Sequence, residues 1–438
     1  MKTFKRGIHP PDSKIAADRP IDYILPKHGA VLVYPMVQHI GVACTPLVKK
    51  GEYVKVGQVI ADSDAFLSSP IHSSVSGTVK DIKISLTPGG KYVDCIFIEN
   101  DGLLTETDGL NIPTDYKSLP RDEIIKKIRQ AGIVGLGGAG FPTHIKLNPP
   151  KDKPISHIFI NAAECEPFLT TDHRVLLEET ERIFIGIDVL LCLFPKAQAI
   201  VAIEDNKPDA IKRLIDMNPQ PDKIKVQPLQ TKYPQGAEKQ LITACLGKEV
   251  PSGGLPHDIG CLVQNVDTVI AMHRAFIRGR PLMRKVVTIT GGAIKNPGNY
   301  KIRLGMTYKD AVEMTGGFKE EPYKLVMGGP MMGVAVHDLN VPVVKTSSAL
   351  IAFTKKDGEL PPERNCIRCG RCVDHCPIGL LPMELNRFVL HDEFDDFKKY
   401  YGMDCIECGS CSYICPSKRY LAQSIRTCRR YLMQKKLT

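Results

Sequence analysis

The sequence has no apolar run long enough to cross a membrane as a helix. The best candidate, Ile183 to Phe194, is short, carries Asp188 and ends at Pro195-Lys196, whereas a span needs about 20 predominantly apolar residues. It is expected to be a buried helix. The start, MKTFKRGIHPPDSK, is basic but has no apolar stretch after it, so it does not read as a secretory leader. The fifteen cysteines are not spread as a disulfide scaffold would spread them: eight lie between Cys366 and Cys415 and the other seven are scattered. Charge is not concentrated either. The formal net charge of +10 is distributed along the chain, which permits an acidic partner or a negative membrane surface and gives no reason to expect nucleic acid. These absences leave a soluble chain, or one held at a membrane by partners, whose clustered thiols point to metal or redox chemistry.

A chain of 438 residues is expected to form several domains. Residues 1–29 are Pro-rich and read as an irregular N-terminal extension. Residues 30–100 hold short β-branched strands separated by Gly and Pro, with glycine-centred turns at Gly51, Gly57 and Gly77. This small β domain resembles lipoyl/biotinyl folds, but its hairpin at Ala65-Phe66 has no lysine to modify, so a structural or docking module is expected. After a linker at 100–119, residues 120–282 alternate apolar strands (His157 to Asn161, Ala199 to Ile203) with helical segments (Asp172 to Leu191, Lys207 to Met217, Gln235 to Leu246). That alternation predicts an α/β layer. Residues 283–356 are strand-rich with one short helix at Thr307 to Met314, a small α+β domain. Residues 360–438 carry the cysteine runs. The fold class is therefore multidomain α/β and α+β.

The cysteine runs hold the strongest chemistry. Cys366, Cys369, Cys372 and Cys376 are followed by Pro377; Cys405, Cys408, Cys411 and Cys415 by Pro416. Both match the spacing of bacterial two-cluster ferredoxins, in which the fourth cysteine of each run serves the other cluster. Three thiolates two residues apart wrap one cube, and the fourth is expected to begin a helix that points away. One [4Fe-4S] cluster is thus assigned to Cys366, Cys369, Cys372 and Cys415, the other to Cys405, Cys408, Cys411 and Cys376. Structural zinc is the bland alternative, but zinc sites pair two Cys-x-x-Cys knuckles and have no third cysteine in the run. Arg368, Arg371 and Glu407 either tune the potentials or are solvated loop charges.

The other conspicuous segment is GIVGLGGAGFPTHIK. Gly135, Gly137 and Gly140 satisfy a bare dinucleotide fingerprint, yet a polar amphipathic helix precedes the loop and Phe141-Pro142 follows it, so it is not a Rossmann turn. A cradle of backbone N–H groups for phosphate, with Gly138 inside it and Lys146 near, remains attractive; a tight packing turn is the alternative. Asn161, Glu164 and Glu166 follow a buried strand, Tyr233, Gly236 and Glu238 open a helix, and Asn265 lies in VQNVDT. Singly, each is as well explained as a cap or surface group.

Together GLGGAGFPT, NAAECEP, YPQGAE and NVDT resemble, in order, blocks of the flavin- and NADH-binding subunit of respiratory complex I. The resemblance implies that the glycine loop, Lys146, Asn161, Glu164 and Asn265 surround FMN, and that Glu166, Tyr233 and Glu238, with Gly236 between, lie near the nicotinamide. Ala237 departs from that pattern, standing where complex I has the first of two glutamates. A larger departure is the two-cluster ferredoxin region. That combination, with GIHPPDSK, QHIGVACTPLVKKGEYVKVGQ, SSPIHSSVSGTV, EDNKPDAI, VPSGGLPHDIG and CIRCGRCVDHCP, is similar to the RnfC subunits of the Rnf complexes, ion-translocating ferredoxin:NAD oxidoreductases.

What the resemblance implies is an NAD(H)-handling subunit with FMN and two [4Fe-4S] clusters. Residues 283–356 become a β-grasp domain of the soluble-ligand-binding (SLBB) type. The partners are other Rnf subunits, above all the iron–sulfur subunit that accepts electrons from ferredoxin, and the place is the cytoplasmic face of the cell membrane. FMN takes two electrons as a hydride and releases them singly, so no side chain need act as acid or base. Two other readings stay open: a soluble flavin/iron–sulfur NADH dehydrogenase serving cobalamin or amino-acid reduction, and a cluster-bearing scaffold without flavin. Cys44, Cys95, Cys165, Cys192, Cys245, Cys261 and Cys428 have no metal spacing and are expected to be free thiols. The basic stretch RTCRRYLMQKK is expected to be a solvated helix face. The spacing makes one sharp prediction. Cys376→Ser should disturb the electron paramagnetic resonance signal of the cluster held by Cys405, Cys408 and Cys411, and leave the other cluster intact.

Overall fold

A computed structural model describes residues 1–435. At its centre is a four-stranded, all-parallel sheet in the order Ile224–Leu229, Gln198–Glu204, His157–Ala162, Cys261–Asn265. The two inner strands, Gln198–Glu204 and His157–Ala162, are nearly continuous apolar runs because helices cover both faces of a parallel sheet. The apolar run near 183–194 lies in the Thr180–Leu193 helix, which is buried against the Val266–Ile277 helix, as its composition demanded. The expected single helix from Asp172 to Leu191 is instead two, Thr171–Glu178 and Thr180–Leu193. They part at Glu179, whose backbone (φ −123°, ψ 27°) leaves the helical region.

The N-terminal β domain is two small sheets around a core of Leu32, Val54, Ile60, Ile71, Val79, Ile96 and Ile98. Gly77 must be glycine there: it sits at φ +150°, and a Cβ would meet the Glu99 carbonyl at 1.9 Å. The β-grasp region is a six-stranded mixed sheet. Its edge strand corrects the sequence reading, because residues 1–29 are not irregular throughout. Ile21–Ile24 pairs in parallel with Gly298–Arg303, and further upstream Phe4 enters the core of the α/β domain. Too short to show a period, the strand is held by its neighbours. The Asn299 amide donates to the Ala16 and Arg19 carbonyls, and the Ile21 N–H donates to Glu178.

Buried lysines tie the layers together. Lys285 and Lys301, both on the β-grasp sheet, pair with Asp267 and Glu179 of the α/β domain. Burial pushes the Glu179 carboxyl up, but Arg274 and Lys301, with Arg182, outweigh it and hold the group at about 2. The C-terminal domain packs the Pro382–Leu390 and Leu421–Lys435 helices around Leu385, Phe388, Phe397 and Ile425. The basic stretch is not merely solvated: Arg426 and Arg429 on the last helix pair with Glu407, and Cys428 and Leu432 are buried. Its Lys436 lies outside the described residues. Because the Glu179 carboxylate is depressed relative to its ordinary value, its contribution is present at neutral pH and lost as pH falls from about 4.5 toward 2. Glu179→Gln should cost about 3 kcal/mol at pH 7, measured by chemical denaturation. The gap from the wild type should narrow as the pH is lowered through that window.

Candidate functional site

The carboxyl ends of the parallel strands are where an α/β sheet binds ligands, above all where the strand order reverses. Here the chain runs from His157–Ala162 outward through the next two strands, then crosses back to place Cys261–Asn265 on the other side. Asn161 and Asn265 end the two strands flanking that reversal. The glycine loop lies over it. Gly135 and Gly140 close the loop: the Gly135 N–H donates to the Phe141 carbonyl (2.8 Å) and the Gly140 N–H to the Gly135 carbonyl (3.1 Å). The Leu136 N–H donates to Thr268 Oγ1, and Lys285 donates to the Leu136 carbonyl. Gly137, Gly138 and Ala139 between them are exposed, and among the described residues their N–H groups have no acceptor. Gly138 has φ +105° with open space where a Cβ would be, and Gly137 lies against Asn265. Three open N–H groups in succession suit the phosphate of a flavin mononucleotide. The site thus passes a chemical test of fit.

Several of the residues expected around the ligand are engaged with one another or with their own chain. Lys146 pairs with Glu238 at 2.6 Å. The Asn161 amide donates to the Gly236 carbonyl at 2.7 Å. Glu164, in the left-handed region at φ +50°, turns its carboxylate onto the start of the Thr171–Glu178 helix, accepting from the Asp172 and His173 N–H groups and from Thr171 Oγ1. Asn265 caps the Val266–Ile277 helix and donates to Asp172 Oδ2 at 3.0 Å. Glu166 faces the β-grasp domain and accepts from the Met331 and Met332 N–H groups, both at 3.0 Å. Tyr233 is buried and donates to the Cys408 carbonyl at 2.7 Å.

Cys408 belongs to the second cysteine run, and the eight thiols of the two runs fall into two groups. Cys366, Cys369, Cys372 and Cys415 line one cavity of about 500 Å³; Cys376, Cys405, Cys408 and Cys411 line a smaller one. In each set the sulfurs stand around a space, and among the described residues no three candidate ligands gather closely enough for a single ion. The donor chemistry and the cross-over fit two cubes. One detail of the reading is corrected: Cys376 and Cys415 follow the short Arg371–Asp374 and Ser410–Ile414 helices and do not begin the next. The crossing is made by the short helix of each run, which carries its last cysteine to the neighbouring cavity. Glu407 is likewise no solvated loop charge, being paired with Arg426 and Arg429.

Family models match four successive stretches: an RnfC barrel sandwich hybrid domain at residues 2–103, the Nuo51 FMN-binding domain at 128–274, an SLBB domain at 286–335 and a 4Fe-4S dicluster domain at 365–419. The chain is 47% identical to the C subunit of the proton-translocating ferredoxin:NAD(+) oxidoreductase complex of Clostridium ljungdahlii, covering 97% of this chain and 93% of that protein. It is 42% identical to the C subunit of the Na(+)-translocating complex of Acetobacterium woodii, covering 98% and 97%. The chain belongs to the RnfC family. The C subunit of an ion-translocating oxidoreductase complex from Haemophilus influenzae is 39% identical over 91% of this chain, which spans 61% of that longer relative. In fold alone, the chain is similar to a chain of an NAD+-reducing [NiFe]-hydrogenase structure, with a TM-score of 0.50 at 19% identity over 72% of this chain and 61% of that one.

In this RnfC chain the sequence reading missed the buried charges that set the site's electrostatics. Lys14, in GIHPPDSK, donates to the Glu164, Glu166 and Leu169 carbonyls and so fixes the NAAECEP turn. Asp172 is the second: burial, then the neighbouring Glu164, push its carboxyl up to about 7. A lysine inside a recognised string and an acid one turn beyond it were the available signals. Burial also pushes the Cys165 thiol up, so this cysteine is a protonated packing group whose sulfur accepts from the Gly236 N–H. Tyr233→Phe removes the hydroxyl that donates to the Cys408 carbonyl. It should lower the stability of the docked cluster domain by about 1 kcal/mol. The redox midpoint of the Cys405/Cys408/Cys411/Cys376 cluster should shift, and the other midpoint should stay in place, both read by potentiometric titration.

Proposed function

We propose that this chain is the NAD(H)-oxidising and -reducing subunit of an ion-translocating ferredoxin:NAD+ oxidoreductase complex. One observation carries the reading. The buried Tyr233 hydroxyl, at the carboxyl ends of the flavin-domain strands, bonds directly to a ligand loop of the inner cysteine set. A flavin site and a cluster site are thereby one packed unit.

Gly137 and Gly138, with the Ala139 N–H, would hold the FMN phosphate, and Asn161, Glu164 and Asn265 would shape the wall behind the ring. Glu166, Tyr233, Gly236 and Glu238 would border the nicotinamide side. Bound FMN supplies the exchange between a two-electron hydride donor and one-electron carriers. The chain's own residues bind and orient. The buried walls keep water from the exchange, and the engaged carboxylates of Glu164 and Glu166 are placed to hold ligands rather than to shuttle protons. Cys376, Cys405, Cys408 and Cys411 would hold the inner cluster. Cys366, Cys369, Cys372 and Cys415 would hold the outer one, where Cys366 and Cys369 are exposed and can meet the iron–sulfur partner that accepts electrons from ferredoxin.

No helix among the described residues is long and apolar enough to cross a membrane. Ion movement is therefore assigned to partner subunits, and this chain to the cytoplasmic face. Relatives of similar identity named for different ions support that division. The test is anaerobic purification with iron, sulfide and flavin quantified, then titration with NADH. The expected result is two [4Fe-4S] clusters and one FMN per chain, with NADH bleaching the flavin and then the clusters. Protein that takes up the clusters but neither binds FMN nor responds to NADH would leave only a scaffold. Recovery of the chain with membrane subunits separates the complex from a freestanding dehydrogenase.

A further inference from the structure

Lys345 is wholly buried and has no carboxylate within ion-pair distance among the described residues. Its ammonium instead donates to three neutral oxygens: the Pro70 carbonyl at 2.7 Å, the Gly132 carbonyl at 2.8 Å and Ser69 Oγ at 3.3 Å. The lysine comes from the connection before the last β-grasp strand, Ser69 and Pro70 from the N-terminal β domain, and Gly132 from the root of the glycine loop. Its own N–H donates to Gln38 of the β domain. Gly132 must be glycine for this approach. It has φ +65°, and a Cβ would stand 2.6 Å from the Pro70 carbonyl and 3.1 Å from the Lys345 nitrogen.

The other end of the loop is held from the same two sides. Thr346, the next residue, presses its methyl where a Cβ on Gly140 would be, and the Ile40 N–H of the β domain donates to the Gly140 carbonyl at 3.0 Å. One bracket, Lys345-Thr346 backed by residues 38–40 and 69–70, therefore fixes both feet of the loop. The N–H groups of Gly137, Gly138 and Ala139, left open for an anion, lie between those feet.

We propose that Lys345 is a positioning residue for the flavin phosphate: its three hydrogen bonds set the span of the glycine loop so that the open N–H groups converge. The proposal rests on the assignment of FMN to this loop. Lys345 touches neither the loop's open amides nor the ligand. It explains why a β domain without a modifiable lysine is retained against the flavin core, since the domain supplies two of the three acceptors.

Burial lowers the Lys345 ammonium to about 7, countered by Cys44 and Asp62. The other ionisable groups facing it are His39 and His72, both held low by burial and by Lys345 itself, with Arg129 paired to Asp62 and His144 behind them. Above about pH 7 the amine loses a proton, and three acceptors then share two donors, so the bracket slackens. Linkage acts in the other direction on folding. The folded value lies below the ordinary 10.5, so below about pH 7 the buried charge weighs against folding, and between about 7 and 10.5 that cost is relieved and the stability of the folded chain rises with pH. A residue that only supports the fold would move flavin affinity and stability together; here they move oppositely.

The test uses the full chain, anaerobically reconstituted with both clusters, and FMN binding read by quenching of flavin fluorescence at pH 6 and pH 8.5. Lys345→Met should weaken FMN binding at least tenfold at pH 6, with iron and sulfide content unchanged. The wild type should lose affinity several-fold more than this variant between the two pH values, while its flavin-free melting temperature rises relative to the variant's. Ser69→Ala removes one distant acceptor and should weaken FMN about threefold, an effect that vanishes when Lys345 is already Met. The proposal is overturned if Lys345→Met binds FMN as the wild type does, if flavin and clusters are lost together, or if the Ser69 effect survives in the double variant. A wild type that binds no FMN at all would instead remove the flavin assignment itself.

Discussion

Three lysine amines from one structural unit reach into its neighbours and are held there away from bulk water. Lys285 meets Asp267 and the Leu136 carbonyl, Lys301 meets Glu179, and Lys345 meets three neutral oxygens. An unpaired buried cation is prohibitive, so each amine demands that its acceptors be in place. The demand is mutual, since the acceptors belong to the turns that build the ligand site: Leu136 is in the glycine loop, Asp267 follows Asn265, and Gly132 roots the loop. The β-grasp sheet is thus the frame that gives the α/β domain a fixed opening, and the domains cannot shift independently without stranding charge.

The same logic of enclosure separates the two cysteine sets. The inner set is packed against Tyr233 and Ile8, with Met331 and Cys165 around them. The outer set opens to solvent. Solvent exposure, net charge and hydrogen bonds to sulfur set cluster potentials, so two cubes with identical ligands are placed in unlike surroundings. Glu407, inside the inner run, is neutralised by Arg426 and Arg429, whereas Arg368 beside the outer run has no carboxylate within ion-pair distance among the described residues. The pairing of local charge therefore differs, as well as its hydration, along the path.

Much of this was legible in the residues. The double Cys-x-x-Cys-x-x-Cys-x-x-x-Cys-Pro pattern specified the iron–sulfur chemistry, because ligand spacing is a local geometric constraint, and the fold sets the last cysteine of each run beside the first three of the other. Two of the four strands of the parallel sheet, at 157–161 and 199–203, were visible as apolar runs. What was not legible depended on partners far away in sequence. Ile21–Ile24 is a strand only because Gly298–Arg303 offers it an edge. Glu179 breaks a helix because Arg274 and Lys301 receive its side chain. The resemblance named Glu166 and Tyr233 for a nucleotide, yet in the folded chain both also meet other domains, at Met331-Met332 and at Cys408. Lysines inside strands, Lys285 and Lys301, were the overlooked sign: a cation in an apolar β run implies a distant oxygen.

The unequal shelter of the two cysteine sets has a consequence for how the molecule ages in air. Oxygen attacks an iron–sulfur cube from the solvent side, and Cys366 and Cys369 stand on that side while Cys376, Cys408 and Cys411 do not. Corrosion would therefore begin at the exposed outer set and reach the inner set, packed against Tyr233, last. On the proposed electron path, a chain damaged in this way would keep its nucleotide chemistry and lose its outlet, a wire cut at the plug rather than at the source.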